Sequence, residues 1–90
     1  MSMAAHELKC VYFAWVRERI GLAEESVTPP PGVVSVADLI AWLSSRGEAY
    51  AHAFETPGVI RAALDRRHVR HDAAIGAARE AAIFPPMTGG

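Results

Sequence analysis

Hydrophobic positions near the start of the chain alternate in the pattern of a β-strand. Residues 8–14 are rich in aromatic and β-branched side chains, which favour an extended segment of about seven residues. Side chains alternate across a strand, so this segment has two largely apolar faces. One face carries Leu8, Cys10 and Tyr12, and the other carries Lys9, Val11 and Phe13. Such a strand is either covered on both sides, or covered on one side and offered to a partner protein.

Two later segments repeat apolar residues at helical spacing. Residues 15–20 place Val16 and Ile20 four apart, and the following Gly21 is suited to a left-handed helix cap. The second and clearer helix is predicted over residues 36–46, where apolar positions recur as one stripe that should cover a sheet. This stripe consists of Val36, Leu39, Ile40 and Leu43.

The ends of the longer helix carry their own signals. Ser35 is a suitable N-cap, and Asp38 lies in the first turn, where the helix macrodipole favours an anion. Gly47 is expected to close this helix. Residues 48–54 are expected to add another helical turn before the break at Thr56-Pro57-Gly58.

Three further segments are predicted as strands. Residues 24–28 form one of them, which stops at Pro29-Pro30-Pro31-Gly32 because proline donates no ladder hydrogen bond. Residues 59–64 and 79–84 supply the other two, and the first of these leads into a charged turn at Asp65-Arg66-Arg67. The order of elements predicts a single α+β domain over residues 1–90, with helices packed on one face of a sheet.

Composition and charge narrow the classes of function. The chain is 51% hydrophobic and 21% charged, as globular proteins are, and its net charge of -1 provides no basis for binding nucleic acid. With Cys10 as the one cysteine, no disulfide or cysteine-based zinc site can form within the chain. No secretory signal and no apolar run of about 20 residues is present, so we expect a cytoplasmic protein without a membrane span.

The titratable residues point to no catalytic site of their own. The basic run Arg66-Arg67-His68-Val69-Arg70-His71 is interpreted as a solvated turn, with a surface for an acidic partner protein as the alternative. Its two histidines, three apart, are more typical of a surface pair than of a metal site, and no metal site is predicted. Cys10 is expected to be a small buried residue rather than a nucleophile.

The last residues carry the strongest functional signal. They are Ile83-Phe84-Pro85-Pro86-Met87-Thr88-Gly89-Gly90. Two prolines hold the chain extended, and two glycines without Cβ atoms allow the backbone to enter a narrow channel in another protein. A frayed terminus is the ordinary alternative for such a segment. We expect a projecting arm over residues 85–90 that presents the carboxyl group of Gly90.

The tail Phe84-Pro85-Pro86-Met87-Thr88-Gly89-Gly90 resembles the Phe-Pro-Pro-x-x-Gly-Gly ending of the MoaD family, the sulfur-carrying small subunits of molybdopterin synthase. The segment Val11-Tyr12-Phe13-Ala14-Trp15-Val16-Arg17-Glu18-Arg19-Ile20-Gly21 is similar to the opening strand and helix of that family. The resemblance covers most of residues 8–90. It departs at Ala77-Ala78-Arg79-Glu80, where many members have a Gly-Asp-Glu turn.

The resemblance implies a ubiquitin-like β-grasp fold and a passive role in catalysis. An activating enzyme would consume ATP to form an acyl-adenylate on Gly90, and a sulfur donor would convert it to a thiocarboxylate. The large synthase subunit would receive the tail and transfer its sulfur to cyclic pyranopterin monophosphate, forming the dithiolene of molybdopterin. The chain would bind no cofactor, and two small and two large subunits would form a heterotetramer.

The partner surface is predicted from the same segments. Val11 and Phe13, together with Phe84 at the start of the tail, are expected to form an exposed apolar patch for a partner. Two alternatives to molybdopterin synthesis stay open. One is a related thiocarboxylate carrier that serves another pathway, and the other is a ubiquitin-like interaction module or protein modifier whose tail is never sulfurated.

Overall fold

A computed structural model describes residues 6–86, and within them the chain forms a five-stranded sheet and three α-helices. The order is β1 (Leu8–Tyr12), α1 (Ala14–Ile20), β2 (Glu24–Val27), α2 (Val36–Ser44), α3 (Glu48–Ala53), β3 (Arg61–Leu64), β4 (Arg67–Val69) and β5 (Glu80–Phe84). A single 3₁₀ turn at Pro57–Val59 precedes β3. The predicted α+β class is confirmed.

The sheet has the strand order β2-β1-β5-β3-β4. Strand β1 pairs parallel with β5, with Cys10 opposite Ala81 and Tyr12 opposite Ile83. The other neighbouring pairs are antiparallel. The last strand of the sheet in sequence is therefore the central one, and the chain leaves the sheet from its middle.

One face of the sheet forms the core together with the helices. Leu8, Cys10 and Tyr12 are fully buried on this face, as their alternation predicted. The helical residues that pack on it are Val16, Ile20, Val36, Leu39, Ile40, Leu43 and Ala53. The predicted stripe of α2 is thus confirmed, and the helices lie over one face because each has only one apolar side to bury.

The ends of α1 and α2 follow local backbone chemistry. Gly21 adopts the left-handed conformation, with φ of 90°, and its N–H donates to the carbonyl of Arg17 at 2.8 Å. Helix α2 begins with a capping box, since Ser35 Oγ accepts from the N–H of Asp38 at 3.1 Å and Asp38 Oδ2 accepts from the N–H of Ser35 at 3.0 Å. Strand β1 ends at Tyr12, before the predicted residue 14, because Phe13 is the N-cap of α1.

The prediction that Gly47 closes α2 is wrong. The helix ends at Ser44, and the hydroxyl of Ser45 donates to the carbonyl of Trp42 at 2.6 Å. Gly47 instead precedes α3, and its carbonyl accepts from the N–H of Ala51 at 2.9 Å. A serine supplied the C-cap two residues before the glycine because its hydroxyl can reach a carbonyl in the last turn.

The interpretation of the basic run as a turn is also wrong for residues 67–69, which form β4. Asp65 and Arg66 both have positive φ, 48° and 73°, as in the tight two-residue hairpin that joins β3 to this strand. The hydrophobic pattern did not predict β4, because β4 is a three-residue edge strand whose first two residues, Arg67 and His68, are exposed. Strand β3 begins at Arg61 because Val59 belongs to the 3₁₀ turn.

The segment that departs from the MoaD pattern is stabilised by a residue from another loop. Asp65 Oδ1 accepts hydrogen bonds from the backbone N–H groups of Arg79 at 3.0 Å and Glu80 at 3.1 Å. Gly76 provides a positive φ of 56° shortly before. The carboxylate of Asp65 therefore organises the entry to β5, although residues 77 and 78 are both alanine.

Candidate functional site at the root of the tail

The tail root, defined as residues 84–86, leaves the sheet at the end of its central strand. The N–H of Phe13 donates to the carbonyl of Ile83 at 3.2 Å, and Arg61 of β3 pairs opposite Phe84. Pro85 is buried and Pro86 is partly buried. The tail predicted over residues 85–90 is therefore packed against the domain at its first residue, Pro85.

The reactive part of the predicted tail lies beyond the described residues. Met87, Thr88, Gly89 and Gly90 all fall outside residues 6–86. The roles expected for Gly90 as the activated group and for residues 87–89 in tail insertion stay predictions.

The second face of the sheet carries an apolar strip next to the tail root. We call this strip the open face and define it by Val11, Phe13, Ala63, Ala82 and Phe84. Register places Val11 beside Ala82, and Ala82 beside Ala63 on the next strand. Small side chains thus form the centre of the strip, and the aromatic residues form its end nearest the tail. None of the five belongs to the core cluster among the described residues.

The aromatic end of the open face is partly exposed. Phe13 exposes 46% of its surface, and its ring meets that of Phe84 edge to face, with 6.4 Å between centroids and 81° between planes. His68 of β4 approaches Phe84 from the other side, at 5.4 Å and 75°. The structure thus brings together Val11, Phe13 and Phe84, the three residues predicted for the partner interface. Whether a partner binds there stays a prediction.

Sequence reasoning grouped Phe13 with Phe84 but missed the other residues around them, Ala63, Ala82 and His68. Alternation along β3 and β5 does not show which strands pair. It therefore could not place Ala63 beside Ala82 on one face of the sheet. The contact of His68 with Phe84 requires the register of three strands and the existence of β4. No signal in the sequence alone specifies that register.

Charges are distributed unevenly along the second face of the sheet. At the end away from the tail, Lys9 Nζ lies 3.5 Å from Glu24 Oε1. At the tail end, Arg61 and Arg70 are both exposed. Among residues 6–86, neither of these arginines has a carboxylate oxygen within 4.0 Å. Two exposed arginines that form no ion pair within the described residues therefore border the tail root.

Two other titratable side chains, Cys10 and His71, are held within the fold. Burial raises the pKa of the Cys10 thiol to about 12, which leaves it protonated and unreactive at neutral pH. His71 Nε2 lies 2.6 Å from the carbonyl oxygen of Ile60. Residues 6–86 contain no group of three or more His, Cys, Asp or Glu side chains arranged to hold a metal ion.

A polar cluster on the helix side connects β2 to the helices. The hydroxyl groups of Tyr12 and Tyr50 donate to Glu25 Oε2 at 2.8 and 2.7 Å, and Arg46 Nη1 lies 3.3 Å from Glu25 Oε1. Burial raises the pKa of Tyr12, so its hydroxyl stays a donor. Every oxygen and nitrogen of this cluster that is buried has a partner, as stable polar clusters require. We assign the cluster to folding rather than to chemistry.

Comparison with known proteins shows the family to which the chain belongs. A family model described as the ThiS family matches residues 10–90. The chain belongs to the ThiS family. Its mixed sheet with helices on one face is the ubiquitin-like β-grasp fold, and it has the architecture of the ThiS/MoaD-type sulfur carriers. The resemblance stated from the sequence is thereby confirmed at the level of family and fold.

Solved structures of ThiS-like architecture include several archaeal proteins. A candidate molybdopterin converting factor subunit 1 from Pyrococcus furiosus is 27% identical, with 90% of this chain and 98% of that chain covered at a TM-score of 0.70. Small archaeal modifier protein 1 of Haloferax volcanii is 23% identical, with 94% and 100% covered at 0.69. The Haloferax volcanii protein HVO 2177 is 19% identical, with 100% and 92% covered at 0.74. The last two show likeness of fold alone.

Two further findings complete the description. No curated protein matches the chain. None of the helices within residues 6–86 is long and apolar enough to cross a membrane.

Proposed function

We propose that this chain is the sulfur-carrying small subunit of molybdopterin synthase. Its Gly90 carboxyl group is adenylylated and then thiocarboxylated, and the sulfur passes to cyclic pyranopterin monophosphate to form the dithiolene of molybdopterin. The observation that carries the proposal is the placement of the Phe84-Pro85-Pro86 segment. This segment follows directly from the central strand of a ThiS-family sheet, and the sequence places the Gly-Gly pair three residues after it.

The position of the tail root supports delivery of a carboxyl group into another protein. Strand β5 is held on both sides by β1 and β3, so the tail begins from a fixed point. Pro85 is buried, which fixes the direction of the chain one residue further. Four residues follow Pro86 and can span at most about 14 Å, enough to reach into a partner's active site.

The open face supports binding of the partner that receives the tail. Phe13, which is exposed, and Phe84, which is partly buried, form an aromatic pair beside the point where the tail begins. A partner that covers this pair would also position the tail relative to the partner's catalytic residues, because Phe84 of the interface ends the strand from which the tail continues. The large synthase subunit and the activating enzyme are the two partners proposed for this face.

The chemistry requires those partners. A carboxylate is a weak electrophile because its charge is delocalised and oxide is a poor leaving group. The activating enzyme uses ATP to form an acyl-adenylate on the carboxyl group, with release of pyrophosphate. AMP is then the leaving group that a sulfur donor displaces. The described residues of this chain offer no activated nucleophile, since Cys10 is buried with a raised pKa. The chain therefore acts as a reagent bound to an enzyme, and it needs no cofactor of its own.

The test alters the tail without altering the domain. One variant adds a single residue after Gly90, which converts the reactive carboxyl group into an internal amide. A second variant deletes Gly90, which leaves a carboxylate one residue short. Active sites tolerate little displacement of reacting atoms, so both variants should fold and neither should support sulfur transfer at a comparable rate.

Parent and variants are incubated with ATP, the activating enzyme and a sulfur donor, and intact mass is followed together with molybdopterin formation. The parent should gain the mass difference between one sulfur and one oxygen. Equal thermal unfolding temperatures would show that the parent and the two variants are equally stable. Full activity of the extended variant without proteolytic trimming would exclude a terminal thiocarboxylate.

A carrier for another sulfur-containing product is the second candidate. The ThiS family match supports a sulfur carrier without naming the acceptor, so the partner must identify the pathway. Isolation of a tagged chain from its own cells should recover a molybdopterin synthase large subunit. Recovery of an enzyme of thiazole or cysteine synthesis would favour the second candidate. Isopeptide-linked substrates without any sulfurated tail would instead favour a protein modifier.

A further inference from the structure

The side chain of His68, on the edge strand β4, is turned inward over the open face. Register places His68 opposite Ala63 on β3, and β3 in turn pairs with β5, which carries Phe84. Neighbouring strands lie about 4.8 Å apart, so the backbones of β4 and β5 are about 10 Å apart. The ring centroids of His68 and Phe84 are nevertheless only 5.4 Å apart. The imidazole and the phenyl ring therefore lean towards each other across β3.

A small residue on β3 makes this contact possible. Ala63 lies outside the core cluster, yet it exposes only 6% of its surface, so neighbouring side chains already fill the space above its methyl group. Residues directly opposite each other in a ladder share a face, and the partners of Ala63 are Ala82 on one side and His68 on the other. A larger side chain at position 63 would occupy the place where the two rings meet. His68 thus belongs to the open face, although its strand is at the edge of the sheet.

Arg61 borders the same aromatic ring from β3. It is the ladder partner of Phe84 and therefore projects from the open face. Arg61 and His68 are both exposed, and within residues 6–86 no carboxylate oxygen lies within 4.0 Å of either side chain. A guanidinium and an imidazole both carry N–H donors. The side of Phe84 towards β4 thus offers donors, and the side towards β1 is covered by the ring of Phe13.

The acidic side chains of the neighbouring strands lie away from these donors. Glu24 is on the opposite edge strand β2, and its carboxylate is already paired, with Oε1 3.5 Å from Lys9 Nζ. Glu80 is on β5 and pairs in register with Lys9, four residues before Phe84 and about 13 Å from it along the strand. The open face therefore has its charges balanced at the Lys9 end. At the Phe84 end, an acid has to come from another molecule.

We propose that Arg61 and His68 form an acid-receiving border of the partner surface, so that the open face fits a protein partner with an apolar side chain next to an aspartate or glutamate. The apolar side chain lies over Ala82 and the aromatic pair, and the carboxylate accepts from the guanidinium and the imidazole. This inference rests on the proposed function for the identity of the partner. It adds the chemistry by which that partner is selected.

A border of this kind acts mainly on the choice of partner. An exposed pair of opposite charges changes affinity by only about 1.5- to 5-fold, whereas burial of apolar and aromatic surface supplies most of the binding free energy. A partner with a lysine or arginine at the same place would meet a like charge and would be rejected. Edge strand β4 therefore contributes specificity to a surface whose affinity comes from β1 and β5.

The test uses three small probes that share one ring system and differ in charge: 2-naphthoate, 2-naphthamide and 2-naphthylmethylammonium. Each probe is titrated into the ¹⁵N-labelled full chain at neutral pH. The shifts of backbone amide signals locate the binding site and give the dissociation constant. The naphthyl ring stands in for the apolar side chain of the partner, and the carboxylate stands in for its acid.

The variants are Arg61→Gln and His68→Gln, with Arg67→Gln as the matched control. Arg67 adjoins His68 on β4 and is also exposed, but it pairs with Leu64, whose side chain belongs to the core cluster. It therefore lies on the helix side of the sheet, one residue away from the border and on the other face. The amide spectrum shows whether each variant is folded, and the two border variants test the site independently of each other.

In the parent, 2-naphthoate should bind about three- to fivefold more tightly than 2-naphthamide, and the ammonium probe should bind most weakly. Arg61→Gln and His68→Gln should each remove at least about half of the preference for the carboxylate. Arg67→Gln should keep the preference of the parent. The shifted signals should centre on Phe13, His68, Ala82 and Phe84.

Equal affinity of the parent for 2-naphthoate and 2-naphthamide would overturn the inference, as would shifts confined to other surfaces. Tightest binding of the ammonium probe would assign the face to a basic partner. Shifts of the same signals with protein concentration alone would assign it to a second copy of the chain. Failure of the proposed function has a different signature, because it would appear as absence of ATP-dependent sulfuration of the parent while the probes still report on the border.

Discussion

At the scale of single residues, the partner surface depends on one exposed ring. Phe13 exposes 46% of its surface and packs on Phe84, so Phe13→Arg should weaken partner binding while leaving the core untouched. Leu22→Arg is the matched control, since Leu22 exposes 41% and does not belong to the open face. Calorimetric titration against the large subunit should show weaker binding for Phe13→Arg alone. Equal binding by both variants would remove Phe13 from the interface.

A second prediction for a single residue concerns the charge of Asp38 and its effect on stability at different pH values. Backbone hydrogen bonds from Ser35 and Val34 hold the pKa of its carboxyl group below the ordinary value. A lowered pKa in the folded state contributes stability above the unfolded value of about 3.9, and that contribution is lost as pH falls through the folded pKa. Asp38→Asn keeps an acceptor and removes the charge.

The Asn variant should therefore be less stable than the parent at neutral pH, with a deficit that shrinks as the pH is lowered below about 3.9. Urea unfolding at a series of pH values measures this difference. A deficit of the same size at every pH would assign the effect to hydrogen-bond geometry rather than to charge.

At the scale of elements, helix α2 is held mainly by its buried stripe. Leu39 is 1% exposed and lies in the core cluster. Leu39→Ala should lower the free energy of unfolding by about 2–5 kcal/mol, because apolar burial is lost and a cavity remains. Ala41→Ser on the exposed side of the same helix should cost about 0.5 kcal/mol through helix propensity. Denaturant unfolding measures both, and equal small effects would show that Leu39 does not support the core.

At the scale of the whole molecule, the thiol of Cys10 reports global opening. It lies on β1 next to the central strand, is 0% exposed, and has a pKa raised to about 12 by burial. Alkylation of the native protein should be slow and should accelerate as denaturant unfolds the domain. Ser26→Cys, on the exposed edge strand β2, should react at once. Rapid native labelling of Cys10 would indicate local opening of the sheet at its centre.

The sequence by itself determined much of the secondary structure and the family. The four-residue spacing of Leu39 and Leu43, close to the helical period, indicated the buried side of α2, and the alternation of Cys10 and Tyr12 indicated the buried side of β1. These predictions succeeded because the periods of helices and strands are properties of the local backbone. The tail motif and the opening segment were specific enough, as strings of residues, to indicate a MoaD-like sulfur carrier, and the ThiS family match confirms the family at that level.

The tertiary structure alone decided which strands pair and what surrounds the tail root. Strand β4 escaped detection because edge strands need little apolar character, and without β4 neither the contact of His68 with Phe84 nor the place of Arg70 could be predicted. Asp65 completes the entry to β5 from a distant loop, which no local pattern records. Pairing and register depend on contacts between residues far apart in sequence, so they exist only once the sheet has formed.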